Sequence, residues 1–175
     1  MNQARVLDTE EVATPVHDED LGGKYVIFFL GAEQYGVPIL AVREIIATVP
    51  ITPIPQSPAH VRGVINLRGK VIPILDLRLK FGMDFIEKDR ESCILVVRAQ
   101  GVEAGVAVDR MSEVKDVPAE EIQPAPRLGE GLDTGFILGI DKSAGKVRLL
   151  LDIEKIVSSG ELLSLEGLLT EVAPQ

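Results

Sequence analysis

Apolar residues in this chain form short runs separated by glycine-containing turns, a pattern typical of β-rich proteins. The stretch KYVIFFLGAEQYGVPI predicts two strands joined by a turn at residues 31–34. Residues 63–78 predict a second hairpin that turns at Arg68-Gly69-Lys70, followed by one helical turn that Gly82 closes. Two more hairpins are predicted, one turning near Gln100-Gly101 and one within residues 136–160 that ends in a helix. Short hairpins at this spacing favour small β-barrels.

Two elements separate the first hairpin from the second. In ILAVREIIA the apolar residues Ile39, Val42, Ile45 and Ile46 recur at helical spacing, which predicts a short amphipathic helix. The next segment, VPITPIPQSP, contains four prolines. Each proline ring removes a hydrogen-bond donor and disfavours helix in the preceding residue, so an extended and ordered connector is expected there.

Two of the predicted hairpins resemble each other. GVINLRGKVIPILDL, which starts at Gly63, aligns without a gap with GIDKSAGKVRLLLDI, which starts at Gly139. Both have GKV after the turn and LD at the end of the second strand, and the turn holds Arg68 in one copy and Ala144 in the other. A two-copy match at this separation indicates a pair of small β units.

Composition and charge narrow the class of protein. Hydrophobic residues make up 46% of the 175 residues and aromatic residues only 4%, so the core must consist mainly of aliphatic side chains. The net charge of −9 lies mostly at the two ends, because residues 1–23 carry −5 and residues 160–175 carry −3. The near-neutral middle lacks the basic surface that nucleic acids require, and no run is long and apolar enough to insert into a membrane. A cytoplasmic protein is therefore expected.

The ends of the chain are predicted to lie outside the β units. Residues 1–23 are polar and acidic and predict a disordered arm. Residues 160–175 form a tail that could continue the terminal helix through its leucines at 162, 163, 165, 168 and 169, although two glycines weaken that helix. Cys93, the only cysteine, lies in the apolar run CILVV and is expected to be a buried thiol.

Three aspartates leave an enzymatic alternative open. Asp76, Asp109 and Asp152 each end an apolar strand, and converging carboxylates could bind a metal ion or act as acid and base. Asp76 and Asp152 also precede helical turns, where an aspartate serves as an N-cap, and Asp109 has a structural interpretation too. Neither His17 nor His60 has a second ligand at metal-binding spacing, and the phosphate-binding and nucleophile-elbow motifs do not occur.

Residues 24–159 closely resemble the CheW family of chemotaxis coupling proteins. The resemblance is carried by GVPILAVREI, HVRGVINLRGKVIPILDLRLKFG, GVAVDRMSEV and GFILGIDKSAGKVRLLLDIEKIV, in this order and spacing. It implies a mainly β fold of two five-stranded SH3-like barrels packed together, with short helices between them and at the C-terminus. It also implies no catalytic activity and no cofactor. Family members bridge a CheA-type histidine kinase to chemoreceptor tips, with one barrel against the regulatory domain of the kinase and the receptor in the groove between the barrels.

The resemblance also implies a set of site residues. Glu44 and Arg68 match an ion pair beside the receptor groove, and Val42 matches an apolar position that lines it. Gly63 and Asn66 match positions near the kinase or another partner. From the residues alone, Arg68 could instead be solvated, Val42 could belong to the core and Gly63 could mark a strand bulge.

The sequence therefore predicts a non-enzymatic adaptor between chemoreceptors and a CheA-type kinase. A coupler of another chemosensory pathway, such as one for surface motility, is the alternative within the same class. A small metal-dependent enzyme built on the three aspartates is the alternative from a different class.

Overall fold

The computed structural model describes residues 21–99, 101–125 and 135–157. The predicted arm up to residue 20, the tail from residue 160 and Gln100 lie outside these described residues. The described strands are β1 (Gly23–Leu30), β2 (Glu33–Pro38), β3 (Val42–Ala47), β4 (Val61–Leu67), β5 (Lys70–Asp76), β6 (Cys93–Ala99), β7 (Val102–Val108), β8 (Arg110–Val117), β9 (Ile122–Pro124), β10 (Ile137–Asp141) and β11 (Arg148–Leu151). The α-helices in these ranges after residue 21 are α1 (Leu77–Lys80) and α2 (Ile153–Val157).

The strands form two sheets, which confirms the mainly β fold. One sheet has six strands in the order β8-β1-β2-β11-β10-β9, and the other has five in the order β3-β6-β7-β5-β4. The five-stranded sheet is continuous in sequence, whereas the six-stranded sheet combines the first hairpin with the last four strands. The chain thus leaves the first unit, builds the second and returns to complete the first.

The two sheets repeat one topology, as the similarity between the two hairpins predicts. In one sheet the hairpin β4–β5 is followed by α1, and β5 runs parallel to β7. In the other the hairpin β10–β11 is followed by α2, and β11 runs parallel to β2. Strands β10-β11-β2-β1-β8 therefore match β4-β5-β7-β6-β3 in order, and β9 is an addition.

The largest apolar cluster joins the two sheets. It includes Phe28 of β1, Leu95 of β6, Val106 of β7 and Ile156 of α2, and each of these is at most 1% exposed. Two smaller clusters lie elsewhere, one on strands of the six-stranded sheet and one on strands of the five-stranded sheet. The central strands are thus buried on both faces, which explains their nearly continuous apolar runs.

A row of four aromatic rings strengthens the shared core. Phe28, Tyr35, Phe81 and Phe136 follow one another with ring centroids 6.1, 5.7 and 5.2 Å apart. Phe81 follows α1, whereas the other rings belong to or adjoin the six-stranded sheet. The row therefore fixes how the two units sit against each other.

The helix predicted from Ile39, Val42, Ile45 and Ile46 is wrong. A single 3-10 turn covers Ile39–Ala41, and Val42–Ala47 then forms strand β3, which pairs antiparallel with β6. Three of those four residues lie in β3 and are β-branched, and β-branched side chains favour strands when a neighbouring strand is available. Burial alternates along β3, but Glu44 lies on its more buried face and Ile45 on its exposed face, so the apolar residues themselves do not alternate in the sequence.

The predicted caps and connector are present. Asp76 accepts a hydrogen bond from the backbone of Leu79 at 3.2 Å, and Gly82 follows α1 with φ +79°. Asp152 accepts a bond from the backbone of Glu154 at 3.1 Å at the start of α2. The proline connector pairs with β4 through a bridge between Thr52 and Val64.

None of the helices in the described part of the chain has the length and apolarity needed to span a bilayer.

Candidate functional site

The turn between β4 and β5 presents Arg68 to solvent. Leu67 pairs with Lys70, so the loop contains only Arg68 and Gly69, with φ of +53° and +86°. Two successive positive φ angles match the twist of the flanking strands in a tight hairpin. The side chain of Asn66 accepts a hydrogen bond from the backbone N–H of Gly69 at 2.9 Å. Asn66 therefore supports the turn that positions Arg68.

Arg68 forms an ion pair with Glu44, as the family resemblance implies. The guanidinium of Arg68 donates a hydrogen bond to the carboxylate of Glu44. Glu44 lies on β3, and Arg68 follows β4, and these strands form the two opposite edges of the five-stranded sheet. The pair therefore connects the two edges, which requires the sheet to curl as a barrel does.

A charged cleft of about 270 Å³ surrounds this ion pair. Its walls include Arg43, Lys70 and Glu103 in addition to the pair itself. Glu103 lies 3.0 Å from the ammonium of Lys70 and 3.9 Å from the guanidinium of Arg43. Three cations and two carboxylates thus line one surface, which can hold polar groups of a partner in a defined register.

A second cleft, of about 360 Å³, is mostly apolar, and we call it the Leu40 cleft. It is lined by Pro38, Leu40, Ala41, Leu138 and Ile153, with Arg98 among its polar neighbours. These residues come from both sheets, from the 3-10 turn and from α2. Leu40 is 97% exposed. An exposed apolar surface of this kind is a feature of interaction sites.

Strand β3 connects the two clefts. Ala41 lines the Leu40 cleft, Arg43 lines the charged cleft, and Val42 lies between them. Val42 is half-buried and packs against the shared core, so part of its side chain has the packing role that the sequence left open. The rest of the Val42 side chain is exposed. Its role in lining the receptor groove stays a prediction.

Gly63 is buried beneath the proline connector. Its φ is +141°, and a Cβ atom there would lie 2.0 Å from the carbonyl oxygen of Thr52. The register of β4 and β5 shifts between Val61 and Gly63, so the strand bulge considered above is present. The backbone that approaches Gly63 closely is that of the chain itself.

The three aspartates do not form one metal site. Asp109 accepts hydrogen bonds from the backbone of Gly31 at 2.6 Å and from the guanidinium of Arg78 at 2.7 Å. Asp76 lines the same small cavity as Asp109, whereas Asp152 lines the Leu40 cleft. Among the described residues, no group of three or more acidic, histidine or cysteine side chains could hold a metal ion.

Lys88 and Cys93, which lie outside the two clefts, have shifted pKa values. Burial lowers the pKa of the Lys88 ammonium, which lines the cavity beside Asp76, and the negative charge of Asp76 acts in the opposite direction. Burial raises the pKa of the Cys93 thiol, which agrees with its expected place in the core. Such a thiol resists ionisation and is a poor nucleophile.

Several residues of the two clefts were not identified from the sequence. Arg43, Lys70 and Glu103 come from three different strands, and their proximity follows only from the order of the strands in the sheet. Leu40 falls within the helix that the sequence predicts over ILAVREIIA, where it is one apolar side chain among several. The 3-10 turn consists of three apolar residues, and none of them is buried. Its apolar composition was the available signal for this surface.

The geometry defines a β-rich interaction module with two adjoining clefts. A model of the CheW-like domain matches residues 24–161. The chain is 38% identical over 144 residues to the chemotaxis protein CheW of Klebsiella aerogenes, covering 82% of this chain and 87% of that protein. It is 32% identical over 172 residues to the chemotaxis protein CheW of Treponema pallidum, covering 96% and 100% of the two chains.

A solved structure agrees with these matches. The crystal structure of the scaffolding protein TtCheW from Thermoanaerobacter tengcongensis is similar, with a TM-score of 0.73 and 35% identity. The similarity covers 81% of this chain and 96% of that one. The chain belongs to the CheW family of chemotaxis scaffold proteins.

Proposed function

We propose that this chain is a non-enzymatic cytoplasmic adaptor that couples chemoreceptor tips to the regulatory domain of a CheA-type histidine kinase. The observation that carries the proposal is the Glu44–Arg68 ion pair, which lies on the surface next to two clefts. An exposed ion pair contributes only about 0–1 kcal/mol to stability. The pair is therefore better explained by the shape and charge that it gives to a binding surface.

The receptor is proposed to lie along β3. A helical receptor tip would place its apolar face in the Leu40 cleft and its polar groups against Glu44 and Arg68, with Val42 between them. This is the helix-in-groove mode of recognition, in which apolar side chains give affinity and flanking charges fix the register.

The kinase is proposed to contact the region around Gly63 and Asn66. Asn66 is exposed and lies on the edge strand β4. Gly63 would act indirectly, because it sets the position of the connector at Thr52 that passes over it. A larger residue at position 63 would move this connector and change the surface that the kinase meets.

The absence of catalysis is part of the proposal. Each of the three candidate aspartates has its carboxylate engaged by the chain itself: Asp76 by Leu79, Asp109 by Arg78 and Asp152 by Glu154. These three carboxylates cap helices or form an internal ion pair, so their role is structural. A coupler of another chemosensory pathway would use the same surfaces, and no observation favours it.

A pull-down with a receptor signalling fragment and, separately, the kinase regulatory domain tests this proposal. The wild-type chain is expected to capture both, and Arg68→Glu is expected to lose the receptor fragment while it keeps the kinase domain. Lys24→Glu is the matched control, because it makes the same charge change in another exposed ion pair, with Asp116 on the six-stranded sheet. Failure of the wild type to capture either partner, or unchanged receptor capture by Arg68→Glu, would contradict the proposal.

A further inference from the structure

Strand β8 forms one edge of the six-stranded sheet. Among the described residues, β1 is the only strand that pairs with β8, so no described strand lies against its other side. Val114, in the second half of β8, is 51% exposed, and Glu113 and Asp116 are exposed as well. An edge strand of this kind presents backbone donors and acceptors to which a strand of another molecule can bind.

Glu113 occupies the place in this sheet that Glu44 occupies in the other sheet. Strand β8 pairs with β1 as β3 pairs with β6, and in both pairs the register shifts directly beside the glutamate. Glu44 has Arg68 as its cation, whereas the matching turn holds Ala144, with a φ of +59° close to the +53° of Arg68. The turn thus keeps its backbone shape but supplies no guanidinium to Glu113.

Two charges on β8 are left without partners. Within the described ranges, neither Glu113 nor Lys115 forms an ion pair. The two residues are two positions apart, so their side chains lie on the same face of the strand. Lys115 pairs with Tyr25, and the matching position of β3 holds the apolar Ile46 opposite Ile94. The six-stranded sheet therefore carries one carboxylate and one ammonium on its edge where the other sheet has an internal ion pair.

Two copies of β8 are complementary in one antiparallel register. When Val114 faces Val114 of a second copy, Glu113 of each chain faces Lys115 of the other. Opposite charges that face each other across two strands stabilise the pairing, and like charges oppose it. A register centred on residue 113 or 115 would place two glutamates or two lysines opposite each other. The charges of this edge thus oppose those registers and favour the one centred on Val114.

We propose that the β8 strands of two copies of this chain pair antiparallel about Val114 and form a two-fold symmetric dimer. Both chains use the same surface, so the assembly closes at two copies. The contact is short, because the bulge of β8 lies at Ser112 and ends the pairing there, so the dimer is weak. None of the residues that line the two clefts belongs to β8, so the dimer does not depend on the proposed function.

Sedimentation equilibrium of the full-length chain, from micromolar to millimolar concentration, tests this proposal. The wild type is expected to dimerise as the concentration rises. Glu113→Lys alone and Lys115→Glu alone are each expected to weaken the dimer by about tenfold or more, because like charges then face each other twice. An equimolar mixture of these two variants is expected to dimerise as the wild type does, because opposite charges face each other again in the mixed pair.

The same charge changes outside β8 are the matched controls. Glu120→Lys and Lys142→Glu alter exposed residues of the same unit and are expected to leave the dimer unchanged. A wild type that stays monomeric at millimolar concentration would overturn the proposal. So would a dimer that the β8 variants weaken no more than the controls do, or a mixture that stays monomeric.

A cysteine at the two-fold axis tests the register. In a Cys93→Ala background, Val114→Cys is expected to form a crosslinked dimer in a glutathione redox buffer, because facing Cα atoms lie about 4.5–5.5 Å apart, within disulfide range. Ser112→Cys is the control, since its two copies are offset by four residues, or about 13 Å. Crosslinking of both variants to the same extent, or of neither, would overturn the proposal.

Discussion

The carboxylate of Asp141 and the guanidinium of Arg148 face each other across the β10–β11 hairpin, 3.2 Å apart and almost completely excluded from solvent. In the related hairpin β4–β5, the matching cross-strand positions hold Ile65 and Ile72. The two units thus share one backbone plan, but one of them buries an ion pair where the other buries two isoleucines.

Arg148→Met is expected to destabilise the protein by about 3–5 kcal/mol, because it leaves the Asp141 carboxylate buried without its partner cation. Arg148 also donates to the side chain of Gln34 at 2.6 Å, and this bond is lost too. Urea unfolding followed by circular dichroism measures the change. A loss below about 1 kcal/mol, the range of an exposed pair, would contradict this account.

The related hairpin suggests a rescue. Asp141→Ile combined with Arg148→Ile reproduces the apolar pair of β4–β5 and is expected to be clearly more stable than either single change. Recovery should stay incomplete, since the backbone of Ser143 loses the bond that it donates to Asp141. A double variant no more stable than the worse single variant would show that the two hairpins are not equivalent.

Gly63→Ala is expected to cost at least about 2 kcal/mol, the range of backbone conflicts that cannot relax. The added Cβ would meet the carbonyl oxygen of Thr52 at 2.0 Å, whereas the same substitution at Gly69 would meet nothing within 4 Å. Gly69→Ala is therefore the matched control, because it tests positive φ without the contact. Thermal unfolding of both variants checks the difference, and equal losses would argue against the close approach of the connector.

Stability is expected to fall at high pH because of Tyr25. Its hydroxyl donates to the backbone oxygen of Leu21 at 2.6 Å, and burial, with a contribution from Asp141, raises its pKa above the usual 10.0. The unfolded chain loses this proton near pH 10 while the native state keeps it, so stability is intact below pH 10 and declines as pH rises toward the native pKa.

Unfolding free energies measured from below to above pH 10 check this dependence, with Tyr25→Phe as the comparison. The variant is expected to show a shallower decline. Some decline should remain, because burial, with a smaller contribution from Glu33, also raises the pKa of Tyr35. An identical slope in the variant would mean that Tyr25 does not contribute.

Local signals in the sequence were sufficient for the turns and caps. Arg68 and Gly69 occupy the predicted turn, and Asp76 and Asp152 cap the helices that follow them, because each of these features depends on residues within a few positions. The similarity of the two hairpins also anticipated the repeated topology. The Glu44–Arg68 pair, by contrast, was expected only from the family resemblance, since its residues are 24 positions apart.

Long-range pairing decided the features that the sequence did not reveal. Val42, Ile45 and Ile46 fit helical spacing, yet they form an edge strand because β6 is available to pair with them. Strand β8 was missed for a similar reason: most of its side chains are exposed, and its pairing with β1 supplies the hydrogen bonds. Both clefts combine residues from strands that are distant in sequence, so no local pattern marks them.

The most direct test of the central claim is a charge swap across the Glu44–Arg68 pair, read as the dissociation constant for a receptor signalling fragment. Contacting residues typically couple by about 0.5–3 kcal/mol, so Glu44→Arg and Arg68→Glu are each expected to weaken binding by roughly tenfold or more. The double variant Glu44→Arg with Arg68→Glu is expected to regain much of the affinity, because the ion pair forms again in reverse. Wild-type affinity in both single variants, or a double variant whose loss is the sum of the two, would contradict the claim that this ion pair shapes the receptor-binding surface.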